Sequence, residues 1–218
     1  MRMLEFSLVA VVLLAVLVFG ACNRADRARD VASAGPSLGM DFLEDLPADQ
    51  SAAIRAVPSV ARRMRNFFPR VLANPEAMLF DWVWQDDRLK DRNRASQTVI
   101  ALRLPGADLP RFLLAEKGAI TREDARAAGG EIVFTTPGRW FDRHALHGES
   151  PERVRPLFPE AARASIELPS GLRLEGAGDW VLVYEPGREL APTSFASELA
   201  RARGLVETWT SVRERAAE

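Results

Sequence analysis

The chain has 218 residues, of which 47% are hydrophobic and 27% are charged, and its formal net charge is -1. This length suits one domain of roughly 150 residues beside an N-terminal segment and a polar tail. A nearly neutral chain has no overall field that would attract nucleic acid, and its single cysteine excludes a framework of internal disulfides.

The first predicted element is an uncharged hydrophobic run, residues 6–22, which ends at Cys22. As a helix with ~1.5 Å rise per residue it would span about 25 Å, just short of a ~30 Å hydrocarbon core. The run is also slightly long for the apolar core of a signal peptide. We therefore predict that residues 1–22 are a lipoprotein signal peptide or a transmembrane anchor.

The residues before Cys22 favour the first of these two interpretations. An apolar residue and two small ones, 19–21, precede the cysteine, and this resembles the bacterial lipobox, in which the cysteine becomes the lipidated first residue. The alternative is an uncleaved single-pass helix, because three arginines over 24–29 would hold the following domain in the cytoplasm by the positive-inside bias. We prefer the lipoprotein slightly over a single-pass inner-membrane protein, and in both cases the protein is attached to a membrane.

The next residues are predicted to connect this segment to one folded domain. Residues 23–40 alternate in charge and then become small, which is typical of a flexible linker. Residues 41–218 are predicted to form a single α+β domain. Its lead-in, 41–70, is interrupted by prolines, with short helices expected at 48–56 and 59–67.

The lead-in also carries a basic cluster around two phenylalanines. Its members are Arg62, Arg63, Arg65 and Arg70. One interpretation is a contact with anionic lipid near the membrane. The preferred interpretation is the solvated face of an amphipathic helix.

Alternating apolar residues predict a series of strands from Met78 onwards. In 80–84 the phenylalanine and both tryptophans fall on one face. The other predicted strands are 97–104, 111–116, 131–135, 141–147, 172–175 and 180–185. The last two form the clearest hairpin, because glycines and an aspartate stand between them.

Sequence features that predict helices lie between these strands and after the last of them. Thr121 and Asp124 have the spacing of a capping box, and Ser150 followed by proline predicts another helix start. The last helix shows apolar residues in steps of three or four, namely Phe195, Leu199, Ala202, Val206, Trp209 and Val212. The chain is therefore predicted to be α+β, with a mainly antiparallel sheet packed by a C-terminal amphipathic helix. A partly open barrel closed by that helix is a further possibility.

The sequence contains few residues that indicate chemistry. His144 and His147 would point to opposite faces of a strand, and zinc sites normally need three or four protein ligands, so no metal is predicted. Several carboxylates lie near predicted strand ends and could perform acid–base chemistry if two faced one cleft. A carboxylate-dependent, hydrolase-like enzyme therefore remains an alternative. No cofactor is predicted.

Short motifs occur in a defined order between Leu79 and Pro192. They are Phe80-Asp81-Trp82, Arg94 with Gln97-Thr98-Val99, Leu109-Pro110-Arg111-Phe112 with Leu114 and Glu116, Phe141 with Arg143 and Gly148, Val154-Arg155, Leu157-Phe158-Pro159, and Glu175-Gly176-Ala177-Gly178-Asp179-Trp180 with Leu182, Tyr184 and Gly187. Together they resemble a family of uncharacterised bacterial proteins with N-terminal membrane segments ahead of one soluble domain. The resemblance implies membrane attachment and a role that need not be enzymatic, and it supplies no catalytic residues.

The chain departs from that family in three places. The 121–130 helix looks like an insertion, Glu185 stands where members often have arginine, and His144 stands where they tend to have an aromatic residue. The last two departures put in doubt a charged or aromatic site shared by the whole family.

The leading hypothesis is a membrane-tethered, non-enzymatic binding or structural domain with a protein or envelope partner. The alternatives are the carboxylate enzyme and a module that binds anionic lipid through the 62–70 region. The candidate binding surface comprises Asp81, Arg94, Arg111 and Asp179, which are polar residues among otherwise apolar motifs. Cys22 is the candidate lipidation site.

Overall fold

The computed structural model describes residues 25–63, 65–85, 94–134 and 139–215. Within them ten β-strands form one sheet, and α-helices lie on both its faces. The strands are β1 (Asp41–Asp45), β2 (Asn66–Phe67), β3 (Pro69–Ala73), β4 (Ala77–Gln85), β5 (Arg94–Arg103), β6 (Leu109–Glu116), β7 (Gly130–Glu131), β8 (His144–Gly148), β9 (Arg173–Gly178) and β10 (Trp180–Tyr184). The helices are α1 (25–38), α2 (Ala48–Arg55), α3 (Pro58–Ala61), α4 (Arg122–Ala128), α5 (Arg139–Arg143), α6 (Pro151–Val154), α7 (Glu160–Ser165) and α8 (Phe195–Arg215).

The strand order is β1-β3-β4-β5-β10-β9-β6-β8-β7, and β2 pairs with β4 beside β3. Every strand pair is antiparallel. The α+β fold with a mainly antiparallel sheet is therefore confirmed. In the described part of the chain β1 and β7 are the two ends of the strand order and do not pair with each other, so the sheet is not closed into a barrel.

One face of the sheet is covered by α8, together with α1 and the segment from α6 to α7. The six residues predicted to face inward on the last helix are all buried, which confirms that this helix packs on the sheet through its apolar side. The Trp209 ring stacks on Phe158 with 5.5 Å between centroids, and the Phe112 ring meets both of them edge-on. This aromatic group joins α8 to β6 in the hydrophobic core on the α8 face of the sheet, the largest of the described hydrophobic clusters.

Gly176 of β9 lies directly beneath this group. A Cβ atom at Gly176 would lie 2.2 Å from a carbon of the Phe112 ring, a distance that real Cβ atoms do not show. The glycine at this position therefore lets the ring lie against the strand backbone.

The opposite face of the sheet is covered by α2, α3 and α4. Phe80, Trp82 and Trp84 all belong to this core, so the prediction that they share one face of a strand is confirmed. Val60 of α3 and Tyr184 of β10 are buried beside them. The alternation of β4 thus assigns its aromatic residues to one core and leaves Asp81 on the α8 face.

The prediction of a flexible linker over 23–40 is wrong for residues 25–38, which form α1. The charged residues of this stretch alternate with alanine, a strong helix former, and the same sequence places Val31 against the α8-face core with 2% exposure. The helix ends at Gly39, which has a φ of 63° and donates its N–H to the Pro36 carbonyl. Met40 then donates to Gly35 and leads into β1.

Several other local predictions need correction. The second helix of the lead-in is limited to α3, because the chain returns to the sheet as β2 and β3 rather than continuing as a helix to residue 67. Residues 139–143 are helical, so the predicted strand 141–147 is confined to β8. The strand predicted at 131–135 is reduced to β7, and residues 132–134 have no strand assignment.

The predictions that rest on short sequence motifs are confirmed. The Thr121 hydroxyl accepts from the Asp124 amide, and the Asp124 carboxylate accepts from the Thr121 amide, which is the predicted capping box of α4. The predicted hairpin is present as β9 and β10. The helix predicted after Ser150 begins at Pro151, although the Ser150 side chain contacts Glu152 rather than a backbone amide of the first turn.

Candidate functional site

Asp81 lies at the centre of a cluster that joins α1 to the sheet, and its exposed fraction is only 1%. Arg27 of α1 donates two hydrogen bonds to it, from Nε to Oδ2 at 2.8 Å and from Nη2 to Oδ1 at 2.7 Å. Arg70 donates from Nε to Oδ2 at 2.7 Å, and the Thr98 hydroxyl donates to Oδ1 at 2.9 Å. The carboxylate of Asp81 is therefore fully occupied as an acceptor by protein donors. We call these four residues the Asp81 cluster.

A β-bulge brings Arg70 into this cluster. Phe67 pairs with Val83 and Leu72 with Leu79, so four residues on one side oppose three on β4. Arg70 lies inside this irregularity with a φ of 58°, a left-handed conformation that is uncommon for a residue with a side chain. The extra residue turns the Arg70 side chain toward the α8 face, where it reaches Asp81.

The loop after β10 completes the cluster on the side of α8. The Arg27 guanidinium donates from Nη1 to the Leu190 carbonyl at 3.2 Å, and the Leu190 amide donates to the Thr98 hydroxyl at 2.9 Å. Glu189 lies 3.5 Å from Arg27 and adds a partly exposed second carboxylate. Helix α1, strand β4, strand β5 and this loop are thus connected through one buried ion pair.

Electrostatics keep Asp81 ionised. Burial acts to raise its pKa, but hydrogen bonds and charges from Arg27 and Arg70 outweigh burial and hold the pKa of the carboxyl below its usual value. The same carboxylate raises the pKa of Arg27 despite the partial burial of that side chain. At neutral pH the cluster therefore consists of an ionised carboxylate held between two charged guanidinium groups.

A second buried carboxylate, Glu175, lies on the opposite face of the sheet beneath α3. It accepts from the Ser59 backbone amide at 2.9 Å and from the Tyr184 hydroxyl, and its exposed fraction is 0%. Burial raises the pKa of Glu175, and burial together with the nearby Glu175 charge raises the pKa of Tyr184 well above its usual value. The Tyr184 hydroxyl therefore stays protonated and donates a hydrogen bond to Glu175. Glu175 fixes the start of α3 onto β9 and β10.

A third carboxylate, Asp124, connects α4 to the end of α3. It forms ion pairs with Arg62 at 2.7 Å and with Arg173 at 3.0 Å, and it also serves the capping box with Thr121. Burial acts to raise the pKa of Asp124, whereas the two arginines and the Thr121 hydroxyl lower it overall. Arg173 donates in addition to the Ala119 carbonyl at 2.7 Å, so this pair holds α4 against the sheet.

These three carboxylates act on the protein itself. Asp81 and Asp124 each have two arginine partners, and Glu175 is sealed from solvent. A general acid or base must instead be within hydrogen-bond reach of a substrate proton. The arrangement therefore serves to position elements and does not present these groups to a ligand.

The four residues predicted to form one binding surface do not lie together. Arg94 pairs with Gln85 at one end of β5, and the opposite end of β5 lies beside the hairpin turn that contains Asp179. Nine residues of strand at ~3.3 Å each separate these ends by about 30 Å. Asp81 is buried between them, so it cannot belong to an exposed surface.

Arg111 and Asp179 lie closer to each other, at the end of β6 that pairs with the β9 terminus. Arg111 is paired with Glu149 at 3.6 Å and donates to the Ala127 carbonyl at 3.3 Å. The Asp179 main-chain carbonyl accepts from the Leu104 amide at 2.7 Å. Both residues thus contribute to turns and strand ends.

The predicted basic cluster is divided among separate partners. Arg62 pairs with Asp124, Arg65 donates to Gln85, and Arg70 pairs with Asp81. The Arg63 guanidinium lies over the Trp84 ring, 3.8 Å from its centroid. Arg62 thus pairs with α4, whereas Arg63 and Arg70 contact residues on opposite faces of β4, so the four side chains do not form one basic patch.

The two histidines do not share a site. His144 is buried with its Nδ1 atom 3.1 Å from the Trp140 carbonyl, whereas His147 pairs in register with Glu131 of β7. Across the described residues there is no group of three or more His, Cys, Asp or Glu side chains that could hold a metal ion.

Two surface grooves of the described domain lie beside α8. A groove of about 540 Å³ separates α1 from the 191–196 segment, and it is lined on the α1 side by Asp30, Ser33, Ala34, Ser37 and Leu38. A second cleft of about 250 Å³ lies beside Gly204 in the middle of α8. Both grooves are open to solvent, and the first is lined largely by small side chains.

The predicted lipidation site, Cys22, and the hydrophobic run 6–22 lie outside the described residues. Among the helices that the structure describes, none combines the length and the apolar character needed to cross a bilayer.

Comparison with family models gives no match, and comparison with curated protein sequences gives none either. Among solved structures, the chain is similar to the crystal structure of the mycobacterial trehalose monomycolate transport factor A, TtfA, with a TM-score of 0.52 and 13% sequence identity. The match covers 85% of this chain and 93% of that chain. At this level of identity the likeness shows a shared fold and carries no residue role from one protein to the other.

Sequence reasoning identified Asp81 but assigned it to a surface, and it missed Arg27, Glu175 and Tyr184 as members of buried networks. Arg27 stands in a stretch whose charge pattern matches a linker as well as a helix. Glu175 offered one usable signal, because a carboxylate in a strand that is buried on both faces must find a donor.

Proposed function

We propose that this protein is a membrane-tethered binding or structural domain without catalytic activity, whose partner is a protein or another component of the cell envelope. The hydrophobic run 6–22 supports the tether, and Cys22 supports attachment as a lipoprotein in preference to a single spanning helix. Either form of attachment leaves the domain from α1 to α8 outside the bilayer.

The observation that carries the proposal is the docking of α1 onto the sheet. The described part of this helix begins three residues after Cys22, and its Arg27 is held by Asp81. A flexible leash would let the domain sample many distances and orientations. A docked helix instead fixes the sheet close to the point of attachment, as a domain that presents one surface to a partner at the membrane requires.

The geometry of the buried carboxylates supports a role without catalysis. Asp81, Asp124 and Glu175 hold helices in place and accept hydrogen bonds from the protein. The TtfA structure is described as that of a transport factor, and a shared fold is compatible with a role that needs no catalysis. The separate partners of Arg62, Arg63, Arg65 and Arg70 give no support to a module for anionic lipid.

The test is fractionation of bacteria that express the full chain or the Cys22→Ser variant. The wild-type chain is expected in membranes after a carbonate wash, because both forms of attachment survive that treatment. If the protein is a lipoprotein, Cys22→Ser will change its processing and its retention, whereas a spanning helix will tolerate the substitution. Recovery of the wild-type chain in the soluble fraction would contradict the proposal.

A further inference from the structure

The exposed edge of the sheet at β1 has an unusual combination of features. β1 pairs with β3 on one side, and no other strand among the described residues pairs with its second side. Alternate residues of an edge strand direct their N–H and C=O groups away from the sheet, where a further strand can bind them. The edge is therefore able to accept a strand of about five residues.

The side chains of this edge are acidic and have no partners of opposite charge in the described part of the chain. Asp41, Glu44 and Asp45 are exposed, and Asp49 follows in the first turn of α2. None of the four takes part in an ion pair among the described residues, and the segment 38–54 contains no lysine or arginine. The charge of this edge is thus available to a partner.

Two half-buried apolar residues lie between the acidic ones. Phe42 packs at the margin of the α8-face core, and Leu43 packs at the margin of the core beneath α2 and α3. A strand added beside β1 would extend both cores at once, with one apolar side chain directed to each face. The edge therefore offers main-chain pairing, two apolar contacts and a set of negative charges.

A second copy of this chain is a poor occupant. In an antiparallel pair of two β1 strands centred on Leu43, Asp41 of each copy would face Asp45 of the other. Like charges directly opposite each other destabilise a strand pair, so the same residues that attract a basic strand exclude self-association.

We propose that the β1 edge is a docking site for an extended basic segment of a partner protein, which adds to the sheet as an eleventh strand. In the antiparallel partner strand, the residues opposite Asp45 and Glu44 are expected to be basic, those opposite Leu43 and Phe42 apolar, and the one opposite Asp41 basic. This inference rests on the proposed function and names the class of partner for the tethered domain. Main-chain hydrogen bonds supply affinity in this mode of recognition, and the opposite charges supply selectivity.

Helix α1 gives this edge a defined position. Met40 bonds back to Gly35, so β1 starts within one turn of the end of α1, and α1 is itself held by Arg27 and Asp81. A Cβ atom on Gly35 would lie 2.7 Å from the Met40 carbonyl oxygen, which shows how closely the helix and the strand entry approach each other. The partner strand would thus bind at a fixed place relative to the tether.

The test uses the full chain in a nonionic detergent and fluorescent peptides with the cores RKVIR, RKPPR and EEVIE. RKVIR is expected to bind with an affinity that falls as salt increases. RKPPR keeps all three charges but cannot pair as a strand, and EEVIE keeps the apolar residues with the opposite charge, so neither should bind. Equal binding of RKPPR would show simple charge attraction and would overturn the proposal, and so would an absence of RKVIR binding.

Matched variants locate the site. Asp41→Lys, Glu44→Lys and Asp45→Lys together should weaken RKVIR binding at least about tenfold and create binding of EEVIE, because every cross-strand charge pair changes sign. Glu160→Lys, Glu167→Lys and Glu207→Lys make the same change of net charge at exposed positions elsewhere and should leave RKVIR binding intact. Equal loss in the two triple variants, or a concentration-dependent dimer that the β1 triple abolishes, would also overturn the proposal.

Failure of this test is distinguishable from failure of the proposed function. Membrane fractionation reports the tether and does not depend on peptide binding. A chain that fractionates with membranes but ignores RKVIR would retain the proposed function and lose only this partner class.

Discussion

Arg27 and Asp81, which are 54 residues apart in sequence, form a two-pronged ion pair that fastens the first described helix to the centre of the sheet. Arg70 approaches the same carboxylate from a β-bulge, so one acidic group holds two cations from different elements. Removal of the acid therefore takes away the carboxylate that both partly buried guanidinium groups contact and leaves Arg27 only the more distant Glu189 among the described residues. Removal of Arg27 instead leaves Asp81 paired with Arg70.

Asp81→Asn is expected to lower the free energy of unfolding by about 3–5 kcal/mol, because a buried ion pair that loses one member leaves an uncompensated charge. Arg27→Gln should have a smaller effect, about 1.5–3 kcal/mol, because Asp81 keeps its ion pair with Arg70 when Arg27 is removed. Urea denaturation of the full chain measures both. Arg29→Gln is the matched control, since exposed Arg29 pairs with exposed Asp26 and the substitution should change stability little. A larger effect for Arg29→Gln than for Arg27→Gln would contradict this assignment.

Acid should weaken the domain through the same groups. The pKa values of Asp81 and Asp124 are lower in the folded protein than the usual value near 3.9, so the stability that their ionisation adds is present above about pH 4. It is lost as the pH falls through the lowered folded values. The difference in free energy of unfolding between the wild type and Asp81→Asn should therefore shrink below about pH 4. A difference that stays constant from pH 7 to pH 2 would exclude Asp81 as the titrating group.

Glu175 should have the opposite dependence on pH. Its pKa is raised in the folded state by burial, so the folded protein holds a proton that the unfolded chain releases above about pH 4.3. Between that pH and the folded pKa, the wild type should lose stability relative to Glu175→Gln as the pH rises. Tyr184→Phe should destabilise by about 1–3 kcal/mol, because it removes the hydroxyl donor from a buried carboxylate. Parallel stability–pH curves for the wild type and Glu175→Gln would refute this account.

Two glycine substitutions should change the stability of the domain in opposite directions. Gly176→Ala would force a methyl group into the Phe112 ring and is expected to destabilise the domain by about 1–3 kcal/mol. Gly204→Ala should stabilise it by about 1 kcal/mol, because Gly204 lies inside α8 and a Cβ atom there meets nothing within 4 Å. Thermal denaturation of both variants checks the pair. Equal effects of the two substitutions would mean that the close packing of Phe112 on β9 is not rigid.

The parts of the fold that could be predicted from the sequence are those with local signals. Residues that are close in sequence determine the apolar spacing of α8, the hairpin of β9 and β10, and the capping box at Thr121. The sheet order could not be predicted in the same way, because β5 pairs with β10 across about eighty residues of chain. Such non-local pairing is decided by packing rather than by a pattern within one segment.

The buried networks were hidden from the sequence for a related reason. Asp81 stands on the polar side of an alternating strand, which is also where an exposed aspartate would stand. Its burial depends on α1, and the charge pattern of α1 does not distinguish a linker from a helix whose apolar stripe is supplied by Val31, Ala34 and Leu38. Three elements far apart in sequence must meet before the role of Asp81 becomes visible.

Attachment of this domain to a membrane is tested by intact-mass measurement of the protein recovered from washed membranes and from the soluble fraction of the same cells. We expect, in the membrane fraction, either a chain that lacks residues 1–21 and carries a diacylglyceryl group on Cys22, which is the preferred outcome, or a full-length unmodified chain that spans the bilayer. A processed chain with an unmodified Cys22, recovered outside the membrane fraction, would contradict the claim.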